Sequence, residues 1–266
     1  VSVNINYSNQ SKTILDNSFN LNISSNMLSA MSDLFISLSG TELKADQVNL
    51  YDFSGYVLEA GISTIVKKTD GSKDEWIEAA RELEGKKVLT PPYCTREYTK
   101  TATYDQWFIS LYRSFNNQYK RGVGVIETAK QCKSVFKSII TYKKKNHEDA
   151  ASIYVFDSNG DLIYPYDISQ EYKAALQPYY ELTKGDDSAL TFISPLTGKT
   201  EYAAEAVSSY TGYTYLTIQP ESVVLAPVYN LLRILAAIVA LFLTVSIFIS
   251  YRLSRSVVKP VKHLKH

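Results

Sequence analysis

The side chains of this sequence that could do chemistry are few and widely spaced. His147, the only histidine before the last four residues, lies in the polar stretch KKKNHEDA with no Gly-x-Ser-x-Gly turn near it. A hydrolase needs a base within reach of a nucleophile, and this spacing singles out no such pair, nor any pair of carboxylates. Cys94 and Cys132 are the two cysteines, read as free thiols with a disulfide as the alternative, and without Cys and His ligands at metal spacing they do not point to zinc. Asp157, Asn159 and Asp161 in FDSNGDL alternate oxygens as a calcium loop begins. The downstream bidentate Glu is missing, and Asn159-Gly160 explains the run as a hairpin turn, so neither metal nor cofactor is expected. Arg113 in SLYRSF shares one face of a strand with Leu111 and Phe115. A charge on an apolar face needs a partner; an internal carboxylate such as Glu127 is the expected one, with a ligand the alternative.

The elements that must position these groups are short and alternate in kind. VNLYDFSGYVLEAG, Val48 to Gly61, reads as strand, Ser-Gly turn and strand. A helix over Asp74 to Glu84, a loop LTPPYCTREY, and strands around Trp107 to Tyr112 and Gly122 to Glu127 follow. Thr128 to Asn146 suits a connecting helix with Val135, Phe136, Ile139 and Ile140 on its apolar side. ASIYVFDSNGDLIYP then repeats the hairpin pattern, ahead of a helix near Ser169 to Leu182 and three strands, ALTFISP, EYAAEAVSS and YTYLTIQP. Upstream, Leu15, Phe19, Ile23, Met27, Met31 and Phe35 recur every four residues, which predicts one long amphipathic helix from Lys12 to about Ser37. The fold class expected is α+β: a long N-terminal helix and two PAS-like antiparallel-sheet units in series.

Leu231 to Tyr251 carries one charge, Arg233, in 21 residues. That is about 31 Å of helix, against a hydrocarbon core of ~30 Å, so a transmembrane helix is expected. Pro220 is read as opening a helix that runs on into it, with Pro227 as a kink. Arg252, Arg255, Lys259, Lys262 and Lys265 follow with no acid among them, which places the C-terminus in the cytoplasm and residues 1 to about 230 outside. Those outer residues hold 22 of the 28 basic residues and, before the span, all 27 acids, a net charge of −5. An acidic surface without basic clusters excludes nucleic acid as a partner. The chain opens at Val1 rather than Met, with no apolar signal segment ahead of NINYSNQSKTILDNSF, and the sequence leaves open a first membrane helix upstream.

Four stretches, DEWIEAARELEGKKVLTPPY, ISLYRSFNNQYKRGVGVIET, ASIYVFDSNGDLIYP and the apolar span followed by SRSVVKPVKHLKH, together resemble the double Cache sensor domains of Gram-positive histidine kinases paired with AraC-type response regulators. Pro260 and Leu264 resemble the start of a HAMP relay helix. The resemblance implies a stalk over 1–45, a membrane-distal unit over 46–128, a connecting helix over 129–148, a membrane-proximal unit over 149–219, a membrane helix over 220–251 and the start of HAMP over 252–266. It also implies a small-molecule ligand, a homodimer and a response regulator reached through a cytoplasmic kinase. No phosphoacceptor or ATP-binding motif is present, so this chain itself is not read as an enzyme. Many relatives hold amino acids through Arg-x-Trp-Tyr on the distal helix, a later Tyr and a later Asp. Here Trp76 matches the Trp, Tyr93 the later Tyr and Glu127 the Asp, while Asp74 stands at the Arg and Ile77 at the adjoining Tyr. Losing the Arg argues against an amino-acid carboxylate and leaves a carbohydrate or other nutrient as the expected ligand. Trp107 and Arg113 complete the candidate ligand-binding set. A protein-interaction surface that reads a solute-binding protein or cell-wall partner, or a chemotaxis output, is the alternative.

Overall fold

The computed structural model describes residues 45–60, 65–98, 103–116, 122–146, 151–182 and 189–263, with Ser29 and Asp33. The expected stalk helix lies outside the described residues apart from those two, and His147 also lies outside them.

The apolar, β-branched and aromatic runs form two antiparallel sheets. β1 (Gln47–Asp52), β2 (Tyr56–Ala60) and β3 (Ile65–Lys68) form a meander. Helix α1 (Asp74–Glu82) follows, then β4 (Val88–Leu89), β5 (Tyr93–Tyr98), β6 (Thr103–Asn116) and β7 (Gly122–Gln131). The order across this sheet is β3-β2-β1-β7-β6-β4, with β5 also on β6. The segment LTPPYCTREY, expected as a loop, is thus two edge strands. Pro91 and Pro92 have no N–H to give to a ladder, so the edge breaks there and resumes at Tyr93, and Cys94 lies in a strand.

β7 runs three residues past the expected boundary at 128, and two short helices, α2 (Cys132–Val135) and α3 (Lys137–Asn146), replace the single connecting helix. The second sheet follows the expected order: β8 (Ser152–Phe156), β9 (Leu162–Tyr164), α4 (Gln170–Leu182), β10 (Ala189–Ile193), β11 (Thr200–Val207) and β12 (Thr214–Pro220), arranged β10-β11-β12-β8-β9. Its core packs Tyr154, Phe156, Leu162, Leu176, Tyr179, Leu216 and Ile218 between sheet and α4. A separate cluster joins the units, with Ile109, Cys132 and Phe136 against Val155, Ile163, Tyr164 and Tyr213. Burial there pushes the Cys132 thiol up to about 12.

The helix expected to run unbroken from Pro220 is interrupted. α5 (Glu221–Val224) ends at Leu225, and α6 (Ala226–His263) begins beyond it. Pro227 stands in the first turn of α6, where its missing N–H costs nothing, so it starts a helix instead of kinking one. Ala226 to Arg255 is long and apolar enough to cross a membrane, and none of its apolar window is buried among the described residues.

The β8–β9 turn makes a testable demand. Gly160 has φ +91° and a methyl there would strike the Tyr180 ring, whereas Gly198, φ +68°, has open space around it. Both Ala variants carry the left-handed strain of roughly 1 kcal/mol, and Gly160→Ala adds overpacking of about 1–2 kcal/mol. Urea denaturation should rank Gly160→Ala clearly below Gly198→Ala; equal losses would show that Tyr180 yields without cost.

Candidate functional site

The first sheet brings one carboxylate and its donors to the face that α1 covers. Residues opposite each other in a ladder share a face, and β1, β7 and β6 put Asn49, Glu127 and Tyr112 in one row. Tyr51 and Ser110, two residues along their strands from Asn49 and Tyr112, share that face. Glu127 is completely buried. Its Oε2 accepts from the Asn49 amide at 2.7 Å and the Tyr51 hydroxyl at 2.6 Å. Its Oε1 accepts from Ser110 Oγ at 2.6 Å, with the Tyr93 hydroxyl 3.3 Å away and 2.7 Å from Ser110 Oγ. The Lys73 ammonium closes the ring, 2.9 Å from Oε1 and 2.8 Å from Oε2.

Local sequence explains how Lys73 gets there. Asp70 Oδ1 accepts from the backbone N–H of Ser72 at 3.0 Å and its hydroxyl at 2.6 Å, and Gly71 takes φ +76°. This Asx turn delivers Lys73 at the N-cap of α1, pointing back over the sheet. Its side chain is 32% exposed, and Tyr93 is the other shell member that is only partly buried. A cavity of ≈ 60 Å³ lies beside it, lined by Tyr51, Glu59, Lys67, Asp70, Asp74 and Ile77.

The electrostatics follow from burial and this one pair. Burial opposes the charge on Glu127, but the Lys73 ammonium and the hydrogen bonds from Lys73, Ser110 and Tyr51 outweigh it and hold the carboxyl below its ordinary 4.5. Burial, and then the negative charge of Glu127, push the hydroxyls of Tyr51, Tyr93 and Tyr112 well above the usual tyrosine range. All three remain protonated donors at any physiological pH.

Of the residues expected from sequence, Tyr93 and Glu127 meet directly. Trp76 is half-buried on α1 and packs with Tyr51, Tyr112 and Val125 under the same helix. Trp107 does not belong to this face. Alternation turns it away from Phe108, and its ring lies 5.9 Å from Tyr166 of the second unit. Arg113 faces away as well. It pairs with Ile126 while Glu127 pairs with Tyr112, so the expected Arg113–Glu127 ion pair cannot form, and Arg113 Nε is buried without a hydrogen-bond partner among the described residues. Sequence reasoning missed Lys73, Asn49, Tyr51 and Ser110. The cation sought at Asp74 stands one residue earlier. Asp157, by contrast, is spent on its own turn, Oδ1 accepting from the N–H groups of Asn159 at 2.9 Å and Asp161 at 2.8 Å.

Comparison by sequence finds no matching family model and no matching curated protein. Comparison of folds does find likenesses. The extracellular domain of vpHK1S-Z8, named as a histidine kinase, superposes with TM-score 0.58 at 12% identity over 83% of this chain and 86% of that one. The chain shares the fold of that extracellular domain. The ligand-binding domain of the Campylobacter jejuni chemoreceptor Tlp3 in complex with L-norvaline gives TM-score 0.51 at 15% identity, covering 80% of each chain. The ligand-binding domain of Mlp24 with asparagine gives 0.50 at 17% identity over 82% of this chain and 84% of that one. At such identities the likeness establishes the fold, two antiparallel sheets in series, and the site rests on this chain's own residues.

The buried pair fixes a pH signature. Because the folded-state value of Glu127 is lowered, its contribution to stability is present above about pH 4.5 and is lost as pH falls through that lowered value. Lys73→Met should cost about 3 kcal/mol at pH 7 by leaving the carboxylate unpaired. Burial then acts without the ammonium and raises the folded-state value, so the variant should gain stability between pH 7 and pH 5. Denaturation curves showing variant and parent changing in parallel over that interval would contradict this assignment.

Proposed function

We propose that this chain is the extracellular sensing part of a transmembrane receptor and that it takes its ligand at the Lys73–Glu127 pair. The observation that carries the reading is that donors from Asn49, Tyr51, Tyr93, Ser110 and Lys73 crowd a fully buried carboxylate, and the ammonium of Lys73 sits on a long, flexible side chain that is 32% exposed. A carboxylate has about four lone-pair sites, so Glu127 accepts a new donor only by releasing one. Lys73 is the exchangeable one.

A free amino acid has the chemistry for that exchange. Its ammonium takes the place of Lys73 on Glu127 and its carboxylate meets the released lysine, so no charge is left unpaired in the site. An uncharged sugar offers no substitute for either ion, which disfavours the carbohydrate expected from sequence. Asp74 in place of Arg argued against an amino acid; Lys73 supplies the missing cation from the preceding position. The amino acids bound by Tlp3 and Mlp24 support this ligand class. Lys73 stands at the N-cap position of α1, so the ion pair ties the start of that helix to the sheet, and a ligand shifts the receptor by its different affinity for the two positions of the helix.

In this reading α6 crosses the membrane, the basic residues after Tyr251 lie in the cytoplasm, and the resemblance of SRSVVKPVKHLKH to a HAMP start continues the signal to a kinase and its response regulator, with the chain working as a homodimer. The fold of vpHK1S-Z8 supports an output of that kind.

Thermal-shift measurement of the chain in detergent against the twenty amino acids and a sugar panel tests the proposal. One or more amino acids should raise the melting temperature, a ligand at 100 times its Kd adding about 2.7 kcal/mol. Glu127→Gln should abolish that shift. Stabilisation by sugars alone would overturn the ligand class.

A further inference from the structure

The end of the second sheet that carries the chain into α6 also carries an exposed turn with its own apolar surface. β11 and β12 are in register with Glu201 opposite Pro220, so the β10–β11 turn, residues 194–199, and the exit of β12 lie at the same end. Five residues, the one turn of α5 and Leu225, separate Pro220 from the start of α6. At the rise of a helix they advance only ~7.5 Å, which keeps this end of the sheet next to the start of α6. At that end Ile193 is 73% exposed and Leu196 is 40% exposed.

The turn itself carries no negative charge. Outside the span the chain is net acidic, yet residues 188–200 hold no acid and one cation, Lys199. The next acid, Glu201, is buried and turned inward, its Oε2 accepting from the Tyr179 hydroxyl at 3.1 Å. Ser194 ties the turn in shape, its Oγ accepting from the N–H groups of Leu196 at 3.3 Å and Thr197 at 3.2 Å. The result is a fixed loop with two outward apolar side chains and a lysine. An aqueous surface gains nothing from that combination, whereas a bilayer interface takes apolar side chains into the acyl boundary and lysine among the headgroups. We infer that the β10–β11 turn, through Ile193, Leu196 and Lys199, rests in the headgroup layer of the membrane beside α6. The inference builds on the reading of α6 as a membrane span. A turn so seated gives the second sheet two attachments to the bilayer, so that a tilt of the sheet is converted into movement of α6 relative to a fixed point.

The test uses the full chain in vesicles of brominated phosphatidylcholine, whose bromines quench tryptophan only within the bilayer. Three exposed residues receive a tryptophan in turn: Leu196→Trp in the turn, Phe242→Trp in α6, and Tyr210→Trp in the turn at the opposite end of β11 and β12. The native Trp76 and Trp107 belong to the first sheet and its joint with the second, and they supply a constant background. The added emission of Leu196→Trp and of Phe242→Trp should be quenched, and that of Tyr210→Trp should not. Quenching of Phe242→Trp without Leu196→Trp overturns the inference and leaves the span intact. Quenching of Tyr210→Trp as well overturns it too, because the outer chain would then lie on lipid without preference. An unquenched Phe242→Trp overturns the span and the inference together.

Discussion

The first unit is organised around one fully buried carboxylate. A carboxylate at Glu127 in the middle of a sheet is unfavourable unless it is paired and every lone pair is used. Asn49, Tyr51 and Ser110 are rigidly placed for this by the ladder itself, because strand register fixes which residues share the face. Only Lys73 arrives from outside the sheet, and it arrives on the cap of α1. The carboxylate therefore couples the position of a helix to the state of a site, which is the minimal physical requirement of a sensor.

What happens at α1 has a route to the second sheet. The chain leaving α1 passes through Gly85, at φ +89°, to Lys87, whose ammonium lies 3.8 Å above the ring centre of Tyr210 in the β11–β12 turn. That cation–π contact and the apolar cluster around Cys132, Phe136 and Tyr213 are the joints between the units. From Tyr210 the chain runs directly through β12 to α5 and α6, with no glycine after Gly212. β12, α5 and α6 then follow one another directly along the chain.

Much of the fold was legible because its signals are local. The apolar run at 231–251, the hairpin turns and the order of the second sheet all follow from periodicity and turn chemistry within a dozen residues. The edge strands β4 and β5 were not legible, since a Pro-Pro pair reads as loop unless the partner strand β6 is known. Nor was Lys73: a lysine in a Gly-Ser turn has the composition of any solvated loop, and nothing in sequence says which strand lies under it. Arg113 misled for a related reason. Its own strand placed it on an apolar face correctly, but whether Glu127 shares that face depends on the β6–β7 register, which pairs Glu127 with Tyr112. Asn49 and Tyr51 resembled the wet face of a strand, and that face is covered by α1.

The account depends on Lys73 leaving Glu127 when ligand enters. The most direct measurement follows the Lys73 ammonium by NMR, with lysines labelled at Cε and Nζ and the signal assigned with Lys73→Met, during titration with an amino acid that raises the melting temperature. The Lys73 resonance should shift in step with binding, and only slightly in Glu127→Gln. Saturable binding that leaves the Lys73 signal unmoved would show that the ion pair is structural and that the ligand sits elsewhere.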